Sequence, residues 1–316
     1  MHKPVDLTDT AAFERLLDRW RGRISEAVGE AMTFGTMVPA PLRGGMSHAV
    51  LAGGKRYRGM LTLALGLDLA VAEEQLLSSA VAIEIIHAAS LVVDDLPCMD
   101  DARRRRSQPA THVEFGEATA ILSSIALIGR AMEIVARDLG LQPSSRSSIL
   151  DTLSHVIGAE ALCGGQYDDL YPPYYATERD LIHRYERKTS ALFVAAFRCP
   201  ALLAEVDAET LTRLSRAGQR LGVAFQIFDD LLDQTGDAHA IGKDVGQDHG
   251  TLTLATLLGP ARAAERAADE LAAVQKELRE TVGPGRAVDL IRRMAARAAG
   301  ADKRAASRAD LRPTAG

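Results

Sequence analysis

Two groups of aspartates in this chain have the types and spacing to do chemistry together. Asp94, Asp95, Asp100 and Asp101 stand in SLVVDDLPCMDDARRRR, at the end of an apolar run that should be buried. Asp229, Asp230 and Asp233 stand in AFQIFDDLLDQTGD. Like charges four apart cost a helix a few tenths of a kcal/mol, and burial raises the cost, so both groups call for cations. Their oxygen ligands suit Mg²⁺, which keeps several waters and is completed by substrate phosphates. An EF-hand calcium loop is excluded because its Asp-x-Asp-x-Asp-Gly alternation is absent. On an ideal helix Asp94 and Asp101 share a face and Asp100 lies about 120° away, although Pro97 should deform that geometry. Asp229 and Asp233, four apart, stack on one face. One cluster alone could be a solvated helix end; two, each closing an apolar helical run, point to metal.

Basic residues alternate with these acids. Gly53-Gly54-Lys55-Arg56-Tyr57-Arg58 sets two glycines before three cations, so a compact backbone could approach an anion with Lys55 and Arg58 on one turn. It is not a Walker A loop, since neither Gly54-Lys55 nor Gly242-Lys243 is followed by Ser or Thr. Arg103 to Arg106 follow the first acidic cluster directly, and the planar fork of Arg suits bidentate phosphate recognition. Lys188-Thr189 and Lys243-Asp244 are further candidates. His87, seven residues before Asp94, falls on the same helix face. Acidic and basic clusters in alternation are what a metal–diphosphate substrate requires.

The elements that must position these groups are helices. Ala- and Leu-rich stretches of helical period place them at 10–32, 44–70, 73–96, 113–138, 146–170, 177–198, 208–235, 251–258, 260–282 and 284–299, with prolines between them and strand alternation hardly visible. Thr177 with Asp180 forms a capping-box signal. The expectation is an all-α, single-domain bundle over 1–300, its site in a central cavity between helices, with a poorly ordered tail at 301–316. The 316 residues are 47% hydrophobic and 25% charged, enough for a large core. Lys plus Arg number 37 against 42 Asp plus Glu, a net charge of −5 that argues against a nucleic-acid partner. Cys98, Cys163 and Cys199 are odd in number and lack CxxC spacing, so neither a disulfide framework nor zinc is indicated. MHKPVDLTDT lacks the basic start and apolar stretch of a signal peptide, and the apolar runs are interrupted short of the roughly 20 residues of a bilayer crossing. The expected setting is the cytoplasm, with no membrane span.

In order along the chain, GGKRYR, HAASLVVDDLPCMDD followed by RRRR, GGQYDDL, RKTSALF, FQIFDDLLD and GKDVGQD resemble the motifs of the trans-isoprenyl diphosphate synthases. The likeness runs from about Gly53 to Gly259 and is greatest to the bacterial geranylgeranyl diphosphate synthases. It implies the isoprenoid synthase bundle and condensation of isopentenyl diphosphate with an allylic diphosphate (dimethylallyl, geranyl or farnesyl) in a homodimeric enzyme. It further implies that Asp94, Asp95, Asp100, Asp229, Asp230 and Asp233 hold three Mg²⁺ on the allylic diphosphate. Arg105, Lys188 and Lys243 would touch that diphosphate; Lys55, Arg58, His87 and Arg106 would bind that of isopentenyl diphosphate. Gln166, Asp169, Thr189 and Gln226 match further polar positions of the pocket. The catalytic set carried over is Asp94, Asp95, Asp229, Asp230, Lys188 and Gln226.

Product length follows from sterics, because residues one turn before Asp94 would face the growing tail. Ala89 and Ser90 stand there, where members stopping at fifteen carbons often carry an aromatic floor, and the two-residue expansion around Pro97-Cys98 resembles twenty-carbon enzymes. Geranylgeranyl diphosphate is the expected product, farnesyl diphosphate the alternative. The chain also departs from the family: Thr251 replaces a usual lysine, Ser107 a Gly and Ala110 a Thr. These departures leave open a catalytically weak partner subunit. A class I terpene cyclase would need a DTE- or NSE-type second motif and would leave GGKRYR unexplained.

Overall fold

The computed structural model describes residues 10–173, 176–234 and 252–309, the side chains of 299–309 excepted. Its elements are overwhelmingly helical. First come α1 (Thr10–Ala31), α2 (Ala40–Leu51), α3 (Tyr57–Asp68) and α4 (Glu73–Asp94), then a small hairpin of β1 (Arg104–Arg105) and β2 (Gln108–Pro109). α5 (Thr111–Phe115), α6 (Glu117–Ala136), α7 (Pro143–Ile157), α8 (Leu162–Leu170), α9 (Glu178–Lys188), α10 (Ser190–Leu203) and α11 (Ala208–Gln234) follow. α12 (Leu254–Leu258), α13 (Pro260–Thr281) and α14 (Arg286–Ala309) complete the bundle. α4 packs on α3, α6 and α10, and α10 in turn on α7 and α11. Leu61, Leu63, Leu65, Ile83, Ile85, Ile86, Phe193 and Phe197 fill the space between them and are almost wholly buried.

Four helices expected from the sequence are pairs. The stretch 44–70 divides into α2 and α3 at Gly53 and Gly54, whose φ values of +87° and +138° end a helix; 113–138 divides into α5 and α6 at Gly116, φ +82°. The stretch 146–170 is α7 and α8, and 177–198 is α9 and α10, joined at Thr189. Hydrophobic period runs unchanged through such breaks, so it cannot reveal them. α14 continues to Ala309, past the expected boundary at 300; residues 310–316 lie outside those described. The Thr177–Asp180 capping box is present, the Thr177 amide donating to Asp180 at 2.8 Å and the Asp180 amide to the Thr177 hydroxyl at 3.3 Å.

The expectation on apolar runs needs correction. α4 and α6 are each long and apolar enough, by length and composition, to cross a membrane. In α4 the apolar window is 72% buried inside the bundle, which accounts for its composition. In α6 only 33% is buried, and Ile121, Leu122 and Ile125 stand exposed on its outer face.

Two close approaches set the site's walls. A Cβ on Gly222 of α11 would lie 2.4 Å from Ser190 Cα, so α10 and α11 touch backbone to backbone. A Cβ on Gly165 of α8 would lie 2.3 Å from the Lys188 nitrogen, so only glycine lets α8 reach the end of α9. The GGQYDDL and RKTSALF motifs thus meet because the first has no side chain where they cross.

Candidate active site

The first acidic cluster is built by a helix end. α4 stops at Asp94, with Pro97 three residues on, and the chain folds back: the Asp100 amide donates to the Asp94 carbonyl at 2.9 Å and the Asp101 amide to that of Leu96 at 3.1 Å. Asp100 therefore joins Asp94, while Asp101 is exposed with φ +49°, which overturns the ideal-helix pairing of Asp94 with Asp101. Burial pushes the half-buried Asp94 carboxyl up to about 6; Lys188 opposes that shift and Asp100 adds to it. Asp95 is 2% exposed and salt-bridged to Arg105, whose Nε donates to it at 2.9 Å. Burial raises its pKa as well, against the pull of Arg105.

The second cluster divides the same way. Asp230 is 3% exposed, bonded by the Tyr185 hydroxyl and, at 2.8 Å, by Gln226 Nε2. Asp229 and Asp233 are half-buried on the same face of α11, and one Asp233 carboxylate oxygen is buried with no donor. Of the six aspartates expected as metal ligands, Asp95 and Asp230 are thus turned to protein donors, because successive residues on a helix point about 100° apart. Asp94, Asp100, Asp229 and Asp233 are each half-buried rather than buried.

Opposite these acids lies a basic wall. Lys55 and Arg58 do not share a turn as expected: Lys55 precedes α3 and is exposed, whereas Arg58 lies in the first turn, its guanidinium 4.5 Å from the centroid of Phe193. Arg58 Nε is buried and has no acceptor, and burial, reinforced by Arg106, lowers its pKa to about 10 although Glu84 and Asp229 oppose. Arg106, at the hairpin turn with φ +51°, bonds the Gly53 carbonyl; a Cβ on Gly54 would lie 3.0 Å from its guanidinium. His87 is half-buried on α4; burial, then Arg58, Arg106, Arg105 and Arg56, hold its pKa well below the usual range, so the ring is neutral at pH 7. A guanidinium whose buried Nε has no acceptor, with other guanidinium groups around it, is a place for an anion.

A third wall links the two. Lys188 bonds Asp169, which Arg184 also approaches at 3.3 Å, and Arg187 bonds Asp168. Burial lowers the Lys188 pKa, but Asp94 and Asp169 together outweigh it and hold the pKa at about 12. Thr189 donates to Gln226 at 2.5 Å. Gln166 is 9% exposed, with its carbonyl oxygen buried and undonated. Ser90 lies about 40° around α4 from Asp94, but Ala89 lies about 140° away, fully buried, its carbonyl accepting from Ser124 of α6 at 2.9 Å. Lys243 and Thr251 lie outside the described residues.

Whether a divalent cation fits is tested by the donors. The half-buried acids are carboxylates, with a buried, undonated oxygen on Asp233 and another on Gln166. Among the described residues no three acidic, His or Cys side chains already converge on one point. That arrangement suits Mg²⁺ held by one or two carboxylates and completed by water and phosphate oxygens, rather than an all-protein cage. Sequence reasoning missed Tyr185, Arg184 and Glu84 and gave Arg56 no role beyond its place in the cationic segment; the only signal for Glu84 was a lone acid inside the apolar run of α4.

Comparison with known proteins agrees with this geometry. The model of the polyprenyl synthetase family matches residues 40–284. A geranylgeranyl diphosphate synthase of Pantoea ananas is 38% identical over 281 residues, 87% of this chain and 89% of that protein. A farnesyl diphosphate synthase of Escherichia coli (strain K12) is 39% identical over 246 residues, 74% of this chain and 81% of that protein. A geranyltransferase from Helicobacter pylori, solved with magnesium and isoprenyl diphosphate, has TM-score 0.79 and 26% identity over 96% of this chain and 100% of that one.

Proposed function

From the premise that the chain belongs to the polyprenyl synthetase family, we propose that it condenses isopentenyl diphosphate with an allylic diphosphate to an all-trans prenyl diphosphate, most specifically geranylgeranyl diphosphate. The observation that carries this reading is the pairing of poles: half-buried Asp94, Asp100, Asp229 and Asp233 on one side, Arg58, Arg106 and a neutral His87 on the other. Two diphosphates need two holders. Mg²⁺, three per site by family precedent, would be held by those four aspartates and would supply charge neutralisation of the departing diphosphate. Asp95 keeps Arg105 in place and Asp230 keeps Gln226 and Tyr185 in place.

In the reaction the allylic C–O bond breaks with its electron pair leaving on diphosphate. The isopentenyl double bond then supplies the pair for the new C–C bond, and loss of a proton restores a double bond. Lys188 and Arg105 hold the departing group, while Lys55, Arg58 and Arg106 fix the other diphosphate. Because His87 is neutral, it adds a hydrogen bond without adding another charge to the arginine cluster. The apolar helices α4 and α10 exclude water, which would otherwise quench the carbocation.

The twenty-carbon product is supported by small Ser90, on the Asp94 side of α4, and by the Pro97-Cys98 expansion; farnesyl diphosphate is the alternative, favoured by relatives of that name. The exposed Ile121, Leu122 and Ile125 of α6 support a homodimer that buries them, and three unpaired thiols support a reducing cytoplasm. Purified protein incubated with Mg²⁺, isopentenyl diphosphate and five-, ten- or fifteen-carbon allylic diphosphates tests the reading by mass spectrometry. A twenty-carbon product supports it, a fifteen-carbon product overturns the length, and no product from any starter favours the partner-subunit role.

A further inference from the structure

We propose that Glu84 is a positioning residue for the isopentenyl diphosphate site: its buried carboxylate pins the GGKRYR loop so that Lys55 and Arg58 stand in register with Arg106 and His87. This rests on the reading of those four residues given above. Glu84 lies in α4 one turn before His87, and its side chain is 3% exposed. One oxygen accepts the Gly59 amide, in the first turn of α3, at 2.9 Å. The other lies 3.6 Å from Nη1 of Arg56, itself almost wholly buried. Arg56 in turn donates from Nη2 to the Val50 carbonyl, in the last turn of α2, at 2.6 Å. A single carboxylate thereby joins α4 to the start of α3 and, through Arg56, to the end of α2; the cationic loop is strung between those points.

The local backbone is fitted to this clamp. Arg56 takes φ +51°, a left-handed conformation that a branched or bulky L-residue adopts at a cost, and it is held there by its two side-chain partners. At Gly59 an added Cβ would lie 3.2 Å from Glu84 Cγ and 3.3 Å from the Ala80 carbonyl, so glycine is what allows the carboxylate to reach the amide. A buried ion pair is a poor device for stability alone, since well-packed apolar residues of similar volume often do as well or better. Its retention beneath a cluster of cations fits a different task. Glu84 is the negative charge that acts on both Arg58 and Arg106, opposing their burial, while its geometry fixes where the loop sits. Pre-organised cations bind a diphosphate without reorganising when it arrives.

The test is a split of kinetic constants in Glu84→Gln, which keeps shape and the Gly59 acceptor but removes the charge that orients Arg56. The expected result is a rise of about tenfold in KM for isopentenyl diphosphate, with the allylic KM and kcat within about threefold of the parent. Calorimetric binding of isopentenyl diphosphate without allylic partner should weaken by a similar factor. Arg56→Lys, which keeps the charge but cannot span Val50 and Glu84, should give the same split and serves if Glu84→Gln does not fold. An unchanged isopentenyl KM in a folded variant, or an equal rise in both KM values, overturns the proposal. A parent protein that neither binds isopentenyl diphosphate nor turns over would instead overturn the functional reading beneath it.

Discussion

The ionisation of Asp94 links activity to stability in a way that can be measured in the metal-free protein. Its carboxyl is pushed from 3.8 to about 6, chiefly by burial, so the folded chain binds this proton more tightly than the unfolded chain. The sign is therefore unfavourable to folding at neutral pH: the penalty is absent below the unfolded pKa, grows through the window from 3.8 to about 6, and is complete above it. At 1.36 kcal/mol per pH unit, the full penalty is about 3 kcal/mol at pH 8, and about 1.6 kcal/mol at pH 5. Asp94→Asn removes it. With an unfolding entropy of roughly 2.1 cal/mol/K per residue, the Tm of a chain this long rises about 4 °C at pH 8 in EDTA and about half as much at pH 5. The same substitution should lower turnover at least a hundredfold, a loss of about 2.7 kcal/mol in transition-state stabilisation. Scanning calorimetry of both proteins, with EDTA and then with excess Mg²⁺ and diphosphate, is the assay; ligand should stabilise the parent more than the variant. A variant no more stable than the parent at pH 8 in EDTA, or a gain undiminished at pH 5, would refute the argument that Asp94 is held ionised at a cost for the sake of the cation.

Four further substitutions test particular positions. Ser90→Phe, on the Asp94 side of α4, should shorten the product read by mass spectrometry, whereas Ala89→Phe, at a fully buried position, should also cost about 1–3 kcal/mol of stability by overpacking in urea melts. Tyr185→Phe leaves the Leu254 amide, bonded at 2.9 Å, without its acceptor and takes one donor from Asp230, and should cost about 2 kcal/mol, again read in urea. Ile125→Asp, at an exposed apolar position on α6, should convert a dimer to monomer in analytical ultracentrifugation with little change in the far-UV circular dichroism of the chain.

The residue chemistry of the site was open to reading from the sequence because charge type, order and helical period are local properties. Two carboxylate clusters after apolar runs, basic segments between them and the scarcity of strand pattern led to an all-α bundle around a metal–diphosphate substrate, and a family model now matches residues 40–284. Which protein donors these aspartates meet was not local. Asp95 turns to Arg105 and Asp230 to Tyr185 and Gln226, on partners 10, 45 and 4 residues distant, whose positions depend on how whole helices rotate against one another. The breaks at Gly53–Gly54, Gly116 and Thr189 were invisible for a related reason: apolar period continues across them, and what ends the helix is a backbone conformation or a neighbouring helix. Glu84 shows the limit most plainly. In the sequence it is one acid in an apolar run, and only the packing of α4 against the ends of α2 and α3 gives its carboxylate Arg56 and the Gly59 amide as partners. Composition and spacing determined what the cavity contains; the long-range packing of helices decided which of those groups point into it and what holds them there.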